Sequence, residues 1–90
     1  MSQTLTIAPQ SGGRVPSFDI GDRLRKARVT AGLEQSDLSE LTGISVTSIS
    51  AAEKGKTAPR RSTLILWAAA TGVDIQWLRE GRTSRYSVDA

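Results

Sequence analysis

Three times in this chain a glycine is followed by an apolar residue, then by a polar residue able to cap a helix. A second apolar residue stands four positions beyond each cap. The three junctions are Gly32-Leu33-Glu34 with Leu38, Gly43-Ile44-Ser45 with Ile49, and Gly72-Val73-Asp74 with Leu78. Glycine tolerates the left-handed backbone that ends a helix. The polar residue can accept the free N–H groups that open the next one. The apolar pair closes over the cap as a hydrophobic staple and fixes the direction of the incoming chain. Three such junctions at one offset leave room for little except a bundle of short helices.

The remaining ends follow from similar signals. Asp19 is a good N-cap for a first helix in which Ile20, Leu24 and Ala27 fall at helical spacing and Gly32 marks the stop. The second helix opens at Glu34 and closes at Gly43. The third is capped by Ser45 and ends at Gly55. The fourth follows Pro59 and runs from about Arg61 to Thr71, and the fifth runs from Asp74 to Gly81. The apolar positions give one predicted core: Ile20, Leu24, Leu33, Leu38, Leu41, Ile44, Ile49, Leu64, Trp67, Ala68, Val73, Trp77 and Leu78. No helix here is long enough to stand alone, so the expectation is all-α, a compact five-helix domain over residues 18–81. Residues 1–17, with Pro9, Gly12, Gly13 and Pro16, read as a flexible N-terminal arm, and residues 82–90 as a flexible C-terminal tail.

Composition narrows the function classes. The 90 residues include neither cysteine nor histidine, which removes disulfides, the usual zinc ligand sets, and thiol or imidazole catalysis. No metal site and no cofactor are expected. No apolar run approaches the roughly 20 residues of a membrane span, and the N-terminus lacks signal-peptide character, so a cytoplasmic location and no membrane partner are expected. The net charge of +3 is a weak sign of an anionic partner. Its placement says more. Arg23, Arg25, Lys26 and Arg28 form one cluster and Lys54, Lys56, Arg60 and Arg61 another, with acidic residues between them.

Gln35 through Lys54, with Gly43 at the turn, has the length of a helix-turn-helix unit. The run IGDRLRKARVTAGLEQSDLSELTGIS, then Ile49, Glu53 and Gly55, then Pro59, Leu64 and Ala68, and finally TGVDIQWLREG, resemble the phage Cro and lambda-type repressor family (xenobiotic-response-element-like regulators). The resemblance covers about residues 19–81. It implies a lambda-repressor-like DNA-binding fold with helices 2 and 3 as the helix-turn-helix. It also implies a sequence-specific transcriptional repressor that meets a double-stranded DNA operator, usually as a homodimer. Three positions depart from the family pattern: Glu34 where Ser, Thr or Asn is favoured, Ser39 where a small apolar residue, often Ala, packs between the two helices, and Ala52 where a larger aliphatic residue is usual.

In this motif the third helix enters the major groove, which assigns base reading to Val46, Thr47, Ser50 and Ala51. Val46 and Ala51 suit thymine methyl groups, and the Thr47 and Ser50 hydroxyls can bond either way. None can make a bidentate contact, so DNA shape is expected to add discrimination. Phosphate contacts fall to Gln35 at the start of the second helix, to Ser48, and to Lys54, Lys56, Arg60 and Arg61. The resemblance pairs Arg28 with Glu53 as a bridge between the first and third helices and also brings Arg28 close to the DNA backbone. It places a dimer surface at the fifth helix, with Ile75, Gln76, Trp77 and Arg79 as candidates.

No sensor domain follows, so no small-molecule effector is expected, and the reading is a small phage or prophage repressor of Cro type. The alternative that keeps the fold is a protein-interaction module such as an antitoxin or antirepressor. An enzyme is not expected: the sequence offers no phosphate-binding glycine loop and no nucleophile beside a base.

Overall fold

The computed structural model describes residues 16–82. The expected arm and tail therefore lie almost entirely outside the described residues. Within them the chain forms α1 (Ile20–Thr30), α2 (Gln35–Thr42), α3 (Val46–Glu53), α4 (Arg61–Thr71) and α5 (Ile75–Glu80).

The caps act locally. The Asp19 carboxylate accepts the Asp22 N–H at 3.2 Å, and the Asp22 carboxylate accepts the Asp19 N–H at 3.0 Å, a reciprocal capping box. Ser45 Oγ accepts the Ser48 N–H at 3.1 Å, and Asp74 accepts those of Gln76 and Trp77 at 2.7 and 3.2 Å. At α2 the Glu34 N–H donates to Asp37 at 2.8 Å. Gly43 closes α2 in the left-handed region at φ 81°. Thr42 completes that turn: its hydroxyl donates to the Leu38 carbonyl at 2.7 Å and accepts the Ile44 N–H at 3.1 Å.

Every helix gives at least one side chain to a single core. It consists of Leu24 and Ala27 from α1, Leu38 from α2, Ile49 and Ala52 from α3, Leu64, Trp67 and Ala68 from α4, and Leu78 from α5. Leu33, Ile44 and Val73, the outer members of the three staples, pack partly buried against it together with Ile20 and Trp77. Trp67 is fully buried, and its indole N–H donates to the Leu24 carbonyl at 3.1 Å, so no polar atom is stranded by the ring's burial.

Leu41 is a correction. It was expected in the core and is 62% exposed. The sheltered stripe of α2 runs through Gln35, Leu38, Ser39 and Thr42, and Leu41 falls on the far side of Leu38 from Ser39. Of the two leucines, only Leu38 is covered by the neighbouring helices.

Candidate nucleic-acid interface

α3 is gripped from behind. Ile49 and Ala52 are buried, while Val46, Thr47 and Ser48 are exposed and Ser50 and Ala51 half-buried. The side chains on the open face are all short, so the helix stands proud without a thicket of long residues around it.

Its C-terminal end is held by an ionic cluster. Arg28 donates from Nε to Glu53 Oε2 at 2.6 Å and from Nη2 to Oε1 at 3.0 Å. Nη1 donates to the Leu33 carbonyl at 2.9 Å. Gln35 donates its Nε2 to Glu53 Oε1 at 3.1 Å. The Glu53 side chain is only 4% exposed, so the first turn of α2, the last turn of α1 and the end of α3 share one buried carboxylate. The hydrogen bond to Glu53 raises the Arg28 pKa above its ordinary value, against the opposing effect of burial.

A second contact fixes the same end. A Cβ on Gly21 would stand 2.7 Å from the Glu53 carbonyl oxygen and 2.9 Å from that of Ala52. Only a glycine lets α1 approach the α3 backbone so closely. Gly21 and Arg28 lie seven positions apart, two helical turns along one face, so α1 touches the end of α3 at two points.

The structure brings most of the expected contact residues together. Gln35, Val46, Thr47, Ser50, Ala51, Lys54 and Lys56 line one open depression of about 420 Å³. Ser48 and Arg60 line a second on the opposite flank of α3, with Pro59, Ser62 and Thr63. Arg61 is exposed at the first position of α4 and lines neither. The Ser45 and Ser48 hydroxyls lie 3.0 Å apart and share a hydrogen bond. Arg28 is turned inward, with three donors committed to Glu53 and Leu33. Its geometry makes it a positioning residue before it can be a phosphate contact. On α5, Ile75 and Arg79 are exposed, and Gln76 and Trp77 are half-buried. Arg79 pairs with Glu80 at 3.1 Å.

Sequence reasoning missed Arg23. It is buried and carries no carboxylate partner among the described residues. It donates to the carbonyls of Leu78 and Arg79 at 3.0 Å each, and to that of Phe18 at 3.4 Å. It thus closes the end of α5, satisfying carbonyls that a helix terminus leaves open. In a basic cluster such a residue looks like surface charge. Nothing local marks it, and only the crossing of α1 with α5 reveals its role.

Comparison with known proteins follows the same lines. A model of the helix-turn-helix family matches residues 24–78, more than half of the chain. No curated protein sequence matches. Among solved structures, the P22 c2 repressor protein in complex with synthetic operator 9T is similar at 26% identity and a TM-score of 0.66. The match covers 71% of this chain and 97% of that one. The restriction-modification controller protein C.AhdI from Aeromonas hydrophila is similar at 27% identity and a TM-score of 0.62, covering 66% of this chain and 89% of that one. With five helices among the described residues and a matching family model, the chain belongs to the Cro/C1-type helix-turn-helix family of DNA-binding transcriptional regulators.

Proposed function

We propose that the protein is a sequence-specific repressor of double-stranded DNA, Cro-like and of phage or prophage origin, which occludes a promoter by occupying an operator as a homodimer. The observation that carries this reading is the depression on α3. Val46, Thr47, Ser50 and Ala51 share it with Gln35, Lys54 and Lys56. A short-sided helix can settle deep in a major groove while the flanking cations meet phosphates. Ser48, Arg60 and Arg61 extend the phosphate set along the other flank.

Each subunit reads one half-site, with half-site centres roughly 34 Å apart. Ile75, Gln76, Trp77 and Arg79 on α5 form the subunit contact. The likeness to C.AhdI favours a second setting, control of a restriction-modification operon, with the same operator chemistry.

The test is selection of bound duplexes from a random pool by the purified protein, then affinity measurement at two salt concentrations. A repressor enriches a two-fold related sequence, and its log affinity falls with log salt at about 0.9 per phosphate neutralised. Tight capture of a protein partner with no salt-dependent DNA binding overturns the reading in favour of an antitoxin or antirepressor.

A further inference from the structure

We propose that Glu34 is an electrostatic brake on DNA binding: its carboxylate stands beside the phosphate taken at the start of α2 and keeps the complex weaker and shorter-lived than the fold allows. The inference rests on the reading of α2 and α3 as the DNA-facing pair and names a residue that works against binding there.

Glu34 is the N-cap of α2, the residue directly before Gln35. Gln35 lines the same depression as Val46, Thr47, Ser50 and Ala51, so the cap borders the reading face. The N–H groups that open α2, together with the helix dipole, favour an anion at that end. Two anions then claim one helix end: the phosphate of an arriving duplex and the carboxylate already in place.

Nothing nearby cancels the Glu34 charge. The residue is exposed and forms no salt bridge among the described residues. Arg28 feels it: the hydrogen bond and the charge of Glu53 raise the Arg28 pKa, and the charge of Glu34 adds to them. Yet the Arg28 guanidinium is committed to Glu53 and to the Leu33 carbonyl. Gln35 has its Nε2 on Glu53 at 3.1 Å. The other carboxylates around this end are occupied. Asp37 accepts the Glu34 N–H at 2.8 Å, and Glu53 is closed off by Arg28 and Gln35. Glu40 is exposed but lies near the far end of α2.

Two unit charges 4 Å apart in water interact strongly enough to change a binding constant about fivefold. Between a carboxylate and a phosphate the change is a loss. It falls on every duplex alike, because phosphates carry no sequence. Residence on operator and non-operator DNA shortens together, and the protein exchanges readily between sites.

The experiment compares the full chain with Glu34→Gln and Glu34→Asp on the duplex that the full chain selects from a random pool. Glu34→Gln should bind about fivefold tighter at low salt and dissociate more slowly. Its salt slope should steepen by up to about 0.9, the value of one phosphate contact. Glu34→Asp keeps the charge and should match the parent. A damaged fold cannot imitate this result, since it would bind less and not more. Single phosphates of the duplex are then replaced by neutral methylphosphonates. At one phosphate in each half-site the replacement should weaken Glu34→Gln more than the parent, and elsewhere the two proteins should respond alike.

Equal or weaker binding by Glu34→Gln overturns the proposal. So does an equal gain in Glu34→Asp, or a scan in which no phosphate separates the two proteins; in each case the parent remains a DNA binder. A parent chain without salt-dependent DNA binding removes the underlying reading as well.

Discussion

The two ends of α3 are held by different means. The N-terminal end rests on light, local contacts: the Ser45 hydroxyl over the Ser48 N–H, and the Thr42 hydroxyl bridging the turn before it. The C-terminal end is locked by distant partners, Arg28 and Gln35 on the Glu53 carboxylate and Gly21 against two backbone carbonyls. Ser45 is exposed and Thr42 half-buried, whereas the Glu53 side chain is only 4% exposed. A helix anchored at its far end and lightly capped at its near end presents a fixed angle while its leading turn stays unobstructed.

Breaking the locked end should have the largest effect. Glu53→Ala leaves the Arg28 guanidinium sheltered and short of its main partner. Loss of one member of a buried pair costs about 3–5 kcal/mol. The lower end of that range is expected, because Arg28 keeps the Leu33 carbonyl. Urea denaturation measures it, and a loss under about 1 kcal/mol would mean that the bridge behaves as a surface pair. Replacing both residues, Arg28→Met with Glu53→Leu, should recover most of the stability.

Gly21→Ala comes next. Inside a helix this change ordinarily stabilises by roughly 0.5–1 kcal/mol. Here the new methyl meets backbone that cannot swing away, and a net destabilisation of about 1–3 kcal/mol is expected. A gain in melting temperature would show that α1 can shift outward freely. At the light end, Ser45→Ala should cost about 1 kcal/mol, and thermal unfolding would detect it. A loss as large as that of Glu53→Ala would erase the contrast between the two ends. The smallest effects belong to the rim. Lys56→Ala or Arg60→Ala should leave folding unchanged, weaken every duplex alike, and reduce the salt slope by about 1 each. Unchanged slopes would take these residues out of the phosphate set.

Features governed by neighbours in the chain were open to sequence reading. The caps at Asp19, Ser45 and Asp74, the left-handed glycines and the three staples all act within about five residues, and the helices begin and end where they indicate. The Arg28–Glu53 pairing spans 25 positions and came from family resemblance alone. The Gln35 bond to Glu53, the close approach at Gly21 and the carbonyl set of Arg23 depend on how helices cross, which periodicity does not encode. Leu41 shows the limit from the other side. Helical spacing put it beside Leu38, but spacing says nothing about the width of the face a neighbouring helix covers.

Arg23 has one more consequence. Its guanidinium holds the carbonyls of Phe18 and Arg79 together, so the polypeptide comes into the bundle and goes out of it through a single doorway. A module built that way can be spliced into a surface loop of a host protein without prying the loop's two stems apart, and it carries its own clasp.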